Sequence, residues 1–263
     1  MDIILCIKQV PDVTEADLKI DREEKSIIRD DLEMVINEWD NYAVEEAVRL
    51  KEKHGGKITV ITLGDEESED VLRRALAMGA DQAIRIDEEG FENSDPRGIA
   101  LGLYHIIKEL DFDLILTGAQ SSDIGWGQVG VRLAEMLNIP YATLAMGIEV
   151  VDGKIIVKRE LESNTFEKVE LDLPALVTVQ TGINEPRYVS IMGIRRVRKL
   201  KIEEKDIDEL GISEDEVGEK GSIIESIRLM FPPEGEGAEI LQGSLDEICE
   251  KLAQIIREKG GLY

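Results

Sequence analysis

The 263-residue chain has few of the residue types that carry catalytic or metal chemistry. It contains two cysteines, two histidines and 4% aromatic residues. Cys6 lies in an apolar run far from Cys249, so the two support neither a disulfide framework nor a metal site. His54 and His105 stand in helical patterns without a second Cys or His at ligand spacing, and Ser121-Ser122 lacks a nucleophile elbow. We therefore expect no metal site and no catalytic residue.

Basic residues and long apolar runs are also scarce. The chain has 31 Lys and Arg against 56 Asp and Glu, a formal charge of −25, which repels nucleic acid and anionic membranes. No apolar stretch is long enough to span a bilayer, and the apolar N-terminus lacks the basic region and cleavage site of a signal peptide. We predict a globular, cytoplasmic protein with no nucleic-acid partner and no transmembrane segment.

Strand-like and helical patterns alternate in the first two thirds of the chain. Strands are predicted at 2–7, 57–63, 82–86 and 113–117, and amphipathic helices at 41–53, 68–78, 97–110 and 128–137. This βαβ order predicts a parallel α/β sheet.

After Pro140 the pattern becomes that of antiparallel strands. Strands are predicted at 148–151, 154–157 and 168–171, with Asp152-Gly153 as the first turn and a buried strand over 174–179. Regular structure weakens towards a basic run at 195–201.

The remainder of the chain reads as an arm. The acidic, glycine-rich residues 203–222 predict an exposed linker, and the capping box that begins at Ser244 predicts a last helix that ends before Gly260-Gly261. The apolar face over 245–256 needs a covering surface. We predict a nucleotide-binding α/β domain with an antiparallel extension over 1–200, and a linker and partner-contacting arm over 201–263.

A glycine-rich loop, residues 118–130, joins the fourth predicted strand to the fourth helix. Glycines let the backbone approach a ligand closely, and the N-terminus of the helix offers unpaired N–H groups to a phosphate. The loop matches neither the Walker nor the dinucleotide-binding spacing. It therefore predicts a nucleotide only in combination with other segments.

Those segments carry a family resemblance. They are Cys6-Ile7-Lys8-Gln9-Val10-Pro11-Asp12, Asn37-Glu38-Trp39-Asp40, Ala43-Val44-Glu45-Glu46-Ala47, Arg74 to Asp81, Val157-Lys158-Arg159-Glu160-Leu161 and Asn184-Glu185-Pro186-Arg187-Tyr188. In this order they closely resemble the β subunit of electron transfer flavoproteins. The resemblance implies a Rossmann-like fold of the adenine-nucleotide-binding type. It also implies an α subunit that holds FAD, and electron transport between flavin dehydrogenases and an acceptor.

The resemblance also implies a set of cofactor-binding residues at the ends of the first, second and fourth strands, where open parallel sheets bind ligands. They are Cys6, Lys8, Asn37, Glu38, Trp39, Asp40, Leu63, Gln120, Asp123, Ile124, Gly125, Trp126, Gly127, Gln128, Val129, Gly130, Arg132, Leu133 and Ala134. Phosphate is expected near Gly127 and Val129, with Lys8 neutralising it. Trp126 either stacks on the ligand or packs as a lid.

Two nucleotides stay open for this site. Gln128-Val129-Gly130 and Asp123 match the family's loop, whereas Ile124 and Trp126 depart from it, and Glu38 replaces the usual proline. The segment 8–12 and Asp40 resemble members that bifurcate electrons from NADH towards a quinone or ferredoxin system, which favours a second FAD. The alternatives are an AMP-binding β subunit and a stand-alone adenine-nucleotide-binding regulator of the stress-protein type.

A last expectation concerns docking. By resemblance, residues 188–193 match the loop with which the family engages dehydrogenases, and Ile191 stands where an anchoring leucine sits.

Overall fold

A computed structural model describes residues 1–14, 16–233, 235 and 237–259. The strands are β1 (Ile3–Cys6), β2 (Gln9–Pro11), β3 (Met34–Ile36), β4 (Ile58–Leu63), β5 (Gln82–Ile86), β6 (Leu114–Gly118), β7 (Tyr141–Val151), β8 (Lys154–Leu161), β9 (Thr165–Asp172), β10 (Ala175–Val179) and β11 (Glu203–Lys205). The α-helices are α1 (Glu38–His54), α2 (Glu69–Met78), α3 (Pro96–Ile107), α4 (Val129–Leu137), α5 (Ile191–Val197), α6 (Ile207–Leu210), α7 (Gly218–Gly221) and α8 (Leu245–Glu258).

Nine strands form one sheet in the order β11-β5-β4-β1-β6-β10-β7-β8-β9. The pairs from β11 to β7 are parallel, and β7-β8 and β8-β9 are antiparallel. The predicted α/β class, the parallel sheet and the antiparallel meander are therefore confirmed. The β7-β8 turn is Asp152-Gly153, both with positive φ, as the sequence predicts.

The sheet is buried on both faces, because nearly every residue of its central strands β1, β4, β6 and β10 is buried, including the threonines of the last three. Ile3 and Leu5 of β1 belong to the core cluster with α1 and α2, whereas Ile4 and Cys6 belong to the cluster with α3 and α4. Successive side chains of a strand point to opposite faces, so one short run serves both layers. The result is a sheet between two layers of helices.

The local start and stop signals act as predicted. Gly55 ends α1, and Asp95 caps α3 by accepting hydrogen bonds from the N–H groups of Arg97 and Gly98, with Pro96 as the first helical residue. Helix α8 begins with the predicted capping box at Ser244. Gly260-Gly261, expected just after its end, lie outside the described residues.

The expected exposed linker over 203–222 is wrong. Strand β11 lies beside β5 and extends the sheet by one parallel strand. Ile212 and Val217, which follow it, are buried in the core cluster of α3. The sequence does not predict this, because β11 has only three residues, all charged, and because Ile212 and Val217 are isolated apolar residues without the periodicity of a strand or helix. Two further strands, β2 and β3, form a short antiparallel pair that the strand pattern does not predict.

Candidate functional site

A cleft of about 240 Å³ lies at the carboxyl ends of β1, β4 and β6. Strand β1 is followed in the sheet by β4 and β5 on one side and by β6 on the other, so the connections diverge here. Ligands of open α/β sheets bind at such switch points. The cleft is lined by Cys6, Lys8, Asn37, Asp40, Leu63, Gln120, Ile124, Trp126, Gly127, Gln128, Val129 and Gly130 from the predicted set.

The glycine-rich loop forms one wall and leads into α4. Gly125 and Gly127 have φ values of +67° and +62°. These values lie in the left-handed backbone region, which residues other than Gly, Asn and Asp rarely adopt. Gln128 precedes α4 without a side-chain cap on the helix, and its own amide oxygen instead accepts from Arg132. The N-terminal N–H groups of α4 therefore face the cleft without a protein side chain as a cap, which suits an anion.

Asn37 holds this loop from the opposite side. Its Nδ2 donates to the Gln120 carbonyl at 2.9 Å, and its Oδ1 accepts from the Ser122 N–H at 3.1 Å. Asn37 stands at the N-cap position of α1 but makes no side-chain cap there. The side chain is used to connect α1 to the loop, about 85 residues away in sequence.

Asp40 joins the ends of β1 and β6. Its Oδ2 accepts from the Lys8 N–H at 2.7 Å and its Oδ1 from the Gly118 N–H at 2.9 Å. A Cβ at Gly118 would lie 2.3 Å from Asp40 Oδ1, so this close approach requires glycine. Burial raises the pKa of Asp40 to about 7, although the two backbone hydrogen bonds and the charge of Lys8 act in the opposite direction.

Lys8 and Asp123 pair across the mouth of the cleft, connecting the end of β1 to the loop. Partial burial raises the pKa of Asp123, but the hydrogen bond and charge of Lys8 and further hydrogen bonds outweigh it, so the pKa lies below its ordinary value. Lys8 is 40% exposed, which leaves its ammonium group able to turn towards a phosphate. The pair is the charged feature of an otherwise mainly apolar wall.

Cys6 lies at the floor of the cleft as a protonated thiol. Burial, with the negative charge of Asp40, raises its pKa far above the ordinary value. A buried thiol of this kind is a packing residue, because the thiolate is the reactive form. Among the described residues that line the cleft, none forms a nucleophile–base pair.

Other members of the predicted set lie beside the cleft. Leu133 and Ala134 are fully buried in the core cluster of α3 and α4, so their side chains do not line it. Asp123 accepts a hydrogen bond from Lys8 Nζ, and Trp39 donates from Nε1 to Gln180 Oε1 at 2.7 Å. Glu38, Gly125 and Arg132 do not line the cleft either.

A further wall of the cleft comes from residues outside the predicted set. Ser94, just before α3, and Pro96, Ile99 and Leu103 of α3 also line the cleft. The Asp95-Pro96 signal identified the helix start. Helix α3 follows β5, which is not at the switch point, so its position beside the cleft could not be predicted from the order of elements in the sequence.

The segment expected to dock partners lies outside the cleft. Ile191 and Met192 begin α5 and are 68% and 65% exposed, next to Tyr188 at 88%. Helix α5 packs against α2. Within the part of the chain that the structure describes, no helix is both long and apolar enough to cross a membrane.

Comparison with known proteins agrees with this architecture. Residues 25–210 match the model of the electron transfer flavoprotein domain. The chain is 41% identical to the electron transfer flavoprotein subunit beta of Bacillus subtilis, over 98% of each chain. It is 36% identical to the protein of the same name from Thermoanaerobacterium thermosaccharolyticum, over 98% of this chain and 99% of the relative. It is 33% identical to the caffeyl-CoA reductase-Etf complex subunit CarD of Acetobacterium woodii, over 98% and 99%.

Proposed function

The chain belongs to the electron transfer flavoprotein family as a β subunit, and from this premise we propose that it pairs with an α subunit and binds an adenine nucleotide in the cleft. An electron-transfer role follows from the family, and a β subunit implies an α partner. The pair would carry electrons from flavin dehydrogenases to an acceptor in the cytoplasm. The single observation that carries the nucleotide is the uncapped N-terminus of α4 beside the glycine-rich loop.

The residues present fit a nucleotide phosphate. Gly130 lies in the first turn of α4, where a Cβ would meet Thr117 Oγ1 at 2.8 Å, so the helix start is pressed against the end of β6. Lys8 offers a compensating positive charge, and Leu63, Ile99 and Trp126 offer an apolar surface for a ring system. A bound flavin would supply the redox chemistry, whereas these residues bind it, orient it and exclude water.

We propose FAD rather than AMP as the cleft nucleotide. The support is Asp40, which joins β1 to β6 and so builds the floor, and the segment that begins at Lys8, both of which resemble the bifurcating branch. CarD of Acetobacterium woodii, by its name part of an Etf complex, is among the relatives. A second FAD would make the pair a candidate for bifurcation of NADH electrons between two acceptors, with a quinone or ferredoxin system among them.

The C-terminal arm supports the heterodimer. None of the described residues of α8 is buried, and Leu245, Leu252 and Ile256 are exposed on it. Ile227 and Phe231 in the preceding extended segment are exposed as well. A protein rarely leaves so much apolar side chain in water, and a partner surface would cover it.

Ligand identification tests these proposals together. The chain is co-expressed with its α subunit, the complex is purified gently and denatured, and the released nucleotides are separated by chromatography. Two FAD per heterodimer support the second flavin, whereas one FAD and one AMP refute it and leave the electron carrier. A colourless homomeric chain that ignores the α subunit would instead indicate the stand-alone regulator.

A further inference from the structure

The motif Asn184-Glu185-Pro186-Arg187 lies outside the cleft and is unexplained by nucleotide binding. Residues 180–187, which we term the strap, connect the end of β10 to the segment before α5 and run along α1. Gln180 accepts from Trp39 Nε1 at 2.7 Å. Asn184 Nδ2 donates to the Tyr42 carbonyl at 3.1 Å and to Glu46 Oε2 at 3.0 Å.

Arg187, the last residue of the strap, makes more hydrogen bonds to α1 than Gln180 or Asn184 does. Its Nε donates to Glu45 Oε2 at 2.8 Å and its Nη2 to Glu45 Oε1 at 3.1 Å, which is a bidentate pair. Its backbone N–H also donates to Glu45 Oε2, at 3.0 Å, and its Nη1 donates to Glu52 at 2.8 Å. The Glu45 side chain is only 5% exposed, and its three hydrogen bonds come from Arg187, with Arg49 of α1 as a more distant ion-pair partner at 3.6 Å.

Through these contacts, helix α1 holds both the cleft and the strap. The first turn of α1 holds the cleft through Asn37 and Asp40, and the strap follows the helix from Trp39 to Glu52. At 1.5 Å per residue this stretch is about 20 Å long. The exposed Tyr188 comes directly after Arg187, and the exposed Ile191 follows four residues after it.

We propose that Arg187, through Glu45, is a positioning residue for partner docking, which holds the exposed start of α5 in a fixed place relative to the nucleotide cleft. This inference rests on the proposed electron-carrier function and on Ile191 as the docking anchor. A docking element that is ordered before binding avoids the entropy cost of ordering it in the complex. Arg187 itself is not among the residues that line the cleft.

The test uses the complete heterodimer with three changes. Arg187→Lys keeps the charge but loses the bidentate fork. The double variant Arg187→Gln with Glu45→Gln removes both charges, so no carboxylate is left buried and unpaired. Lys51→Gln is the matched control, because Lys51 lies on the same helix but pairs with Asp81, away from the strap.

Two readouts separate positioning from folding. With a flavin dehydrogenase from the source organism as reductant, both Arg187 variants should raise the KM for the heterodimer about tenfold while kcat changes less than about twofold. Hydrogen exchange of the amides in residues 188–197 should become faster in the same variants. Nucleotide content and the exchange of α1 should stay at the wild-type level, and Lys51→Gln should change neither readout.

The proposal would be overturned if the Arg187 variants had a lower melting temperature but an unchanged KM and unchanged hydrogen exchange of residues 188–197. The Arg187–Glu45 pair would then serve only the stability of the fold. Adding Ile191→Ala to Arg187→Lys should raise KM little beyond Ile191→Ala alone, since both act on one docking element. Full additivity would also contradict it. If no flavin dehydrogenase reduces the wild-type heterodimer, the proposed function fails, and the exchange experiment still decides whether Arg187 orders residues 188–197.

Discussion

Gly127 gives the sharpest test of the phosphate cradle, because backbone strain and charge can be separated there. Its φ is +62°, and a Cβ would come no closer than 3.4 Å to the nearest heavy atom, the Ala119 carbonyl oxygen. Gly127→Asn therefore adds little steric clash, and its main cost is the backbone strain of the left-handed conformation, about 1 kcal/mol. That corresponds to a loss of about fivefold in nucleotide affinity if all the strain falls on the bound state.

Gly127→Asp has nearly the same shape and adds a negative charge. With an effective dielectric constant of about 20, two unit charges about 8 Å apart repel by about 2 kcal/mol. The Asp variant should therefore bind the nucleotide at least about 30-fold more weakly than the Asn variant. If the cleft holds FAD, the Asp heterodimer should retain only the flavin of the α subunit.

The assay is nucleotide content after purification, followed by titration of the stripped heterodimer with FAD and with AMP. Gly153→Asp is the matched control, because Gly153 has a φ of +78° in the β7-β8 turn and no atom within 4 Å of its Cβ position. This control should leave nucleotide content unchanged. Equal losses for Gly127→Asn and Gly127→Asp would refute the charge argument, and no loss in either would refute a phosphate at this loop.

Three further predictions concern stability and partners. Because the folded pKa of Asp40 is raised from 3.8 to about 7, the folded state binds more protons in that window, so the contribution of Asp40 to stability should fall as pH rises through it and level off above. Urea unfolding of wild type and Asp40→Asn should show this, and a pH-independent difference would contradict it. Ile191→Ala should slow electron transfer from the dehydrogenase with an unchanged nucleotide content, at a cost of about 2 kcal/mol in docking; unaltered kinetics would leave packing as its role. Leu252→Asp with Ile256→Asp should weaken co-elution with the α subunit but not the unfolding midpoint of the isolated chain, since α8 buries no residue; a lower midpoint would place α8 in the fold of this chain.

Most of the sheet and its helices are predictable from local patterns. The runs at β1, β4 and β6 are short, apolar and separated by amphipathic helices, and the capping signals at Asp95 and Ser244 are local hydrogen-bond chemistry. Strand β11 is not predictable in this way. Its three residues, Glu203–Lys205, carry charge, and it exists because the edge of β5 offers unpaired backbone groups.

The candidate site divides in the same manner. The sequence alone determined that a glycine-rich loop follows an apolar strand, that the chain resembles a family of electron carriers, and that Lys8, Asn37 and Asp40 stand near strand ends. Only the tertiary structure decided what those side chains do. Asn37 holds the loop, Asp40 joins β1 to β6, and Arg187 clasps Glu45 from 142 residues away. These roles depend on contacts between segments distant in the chain, and the periodicity of a sequence records only which face of its own element a residue occupies.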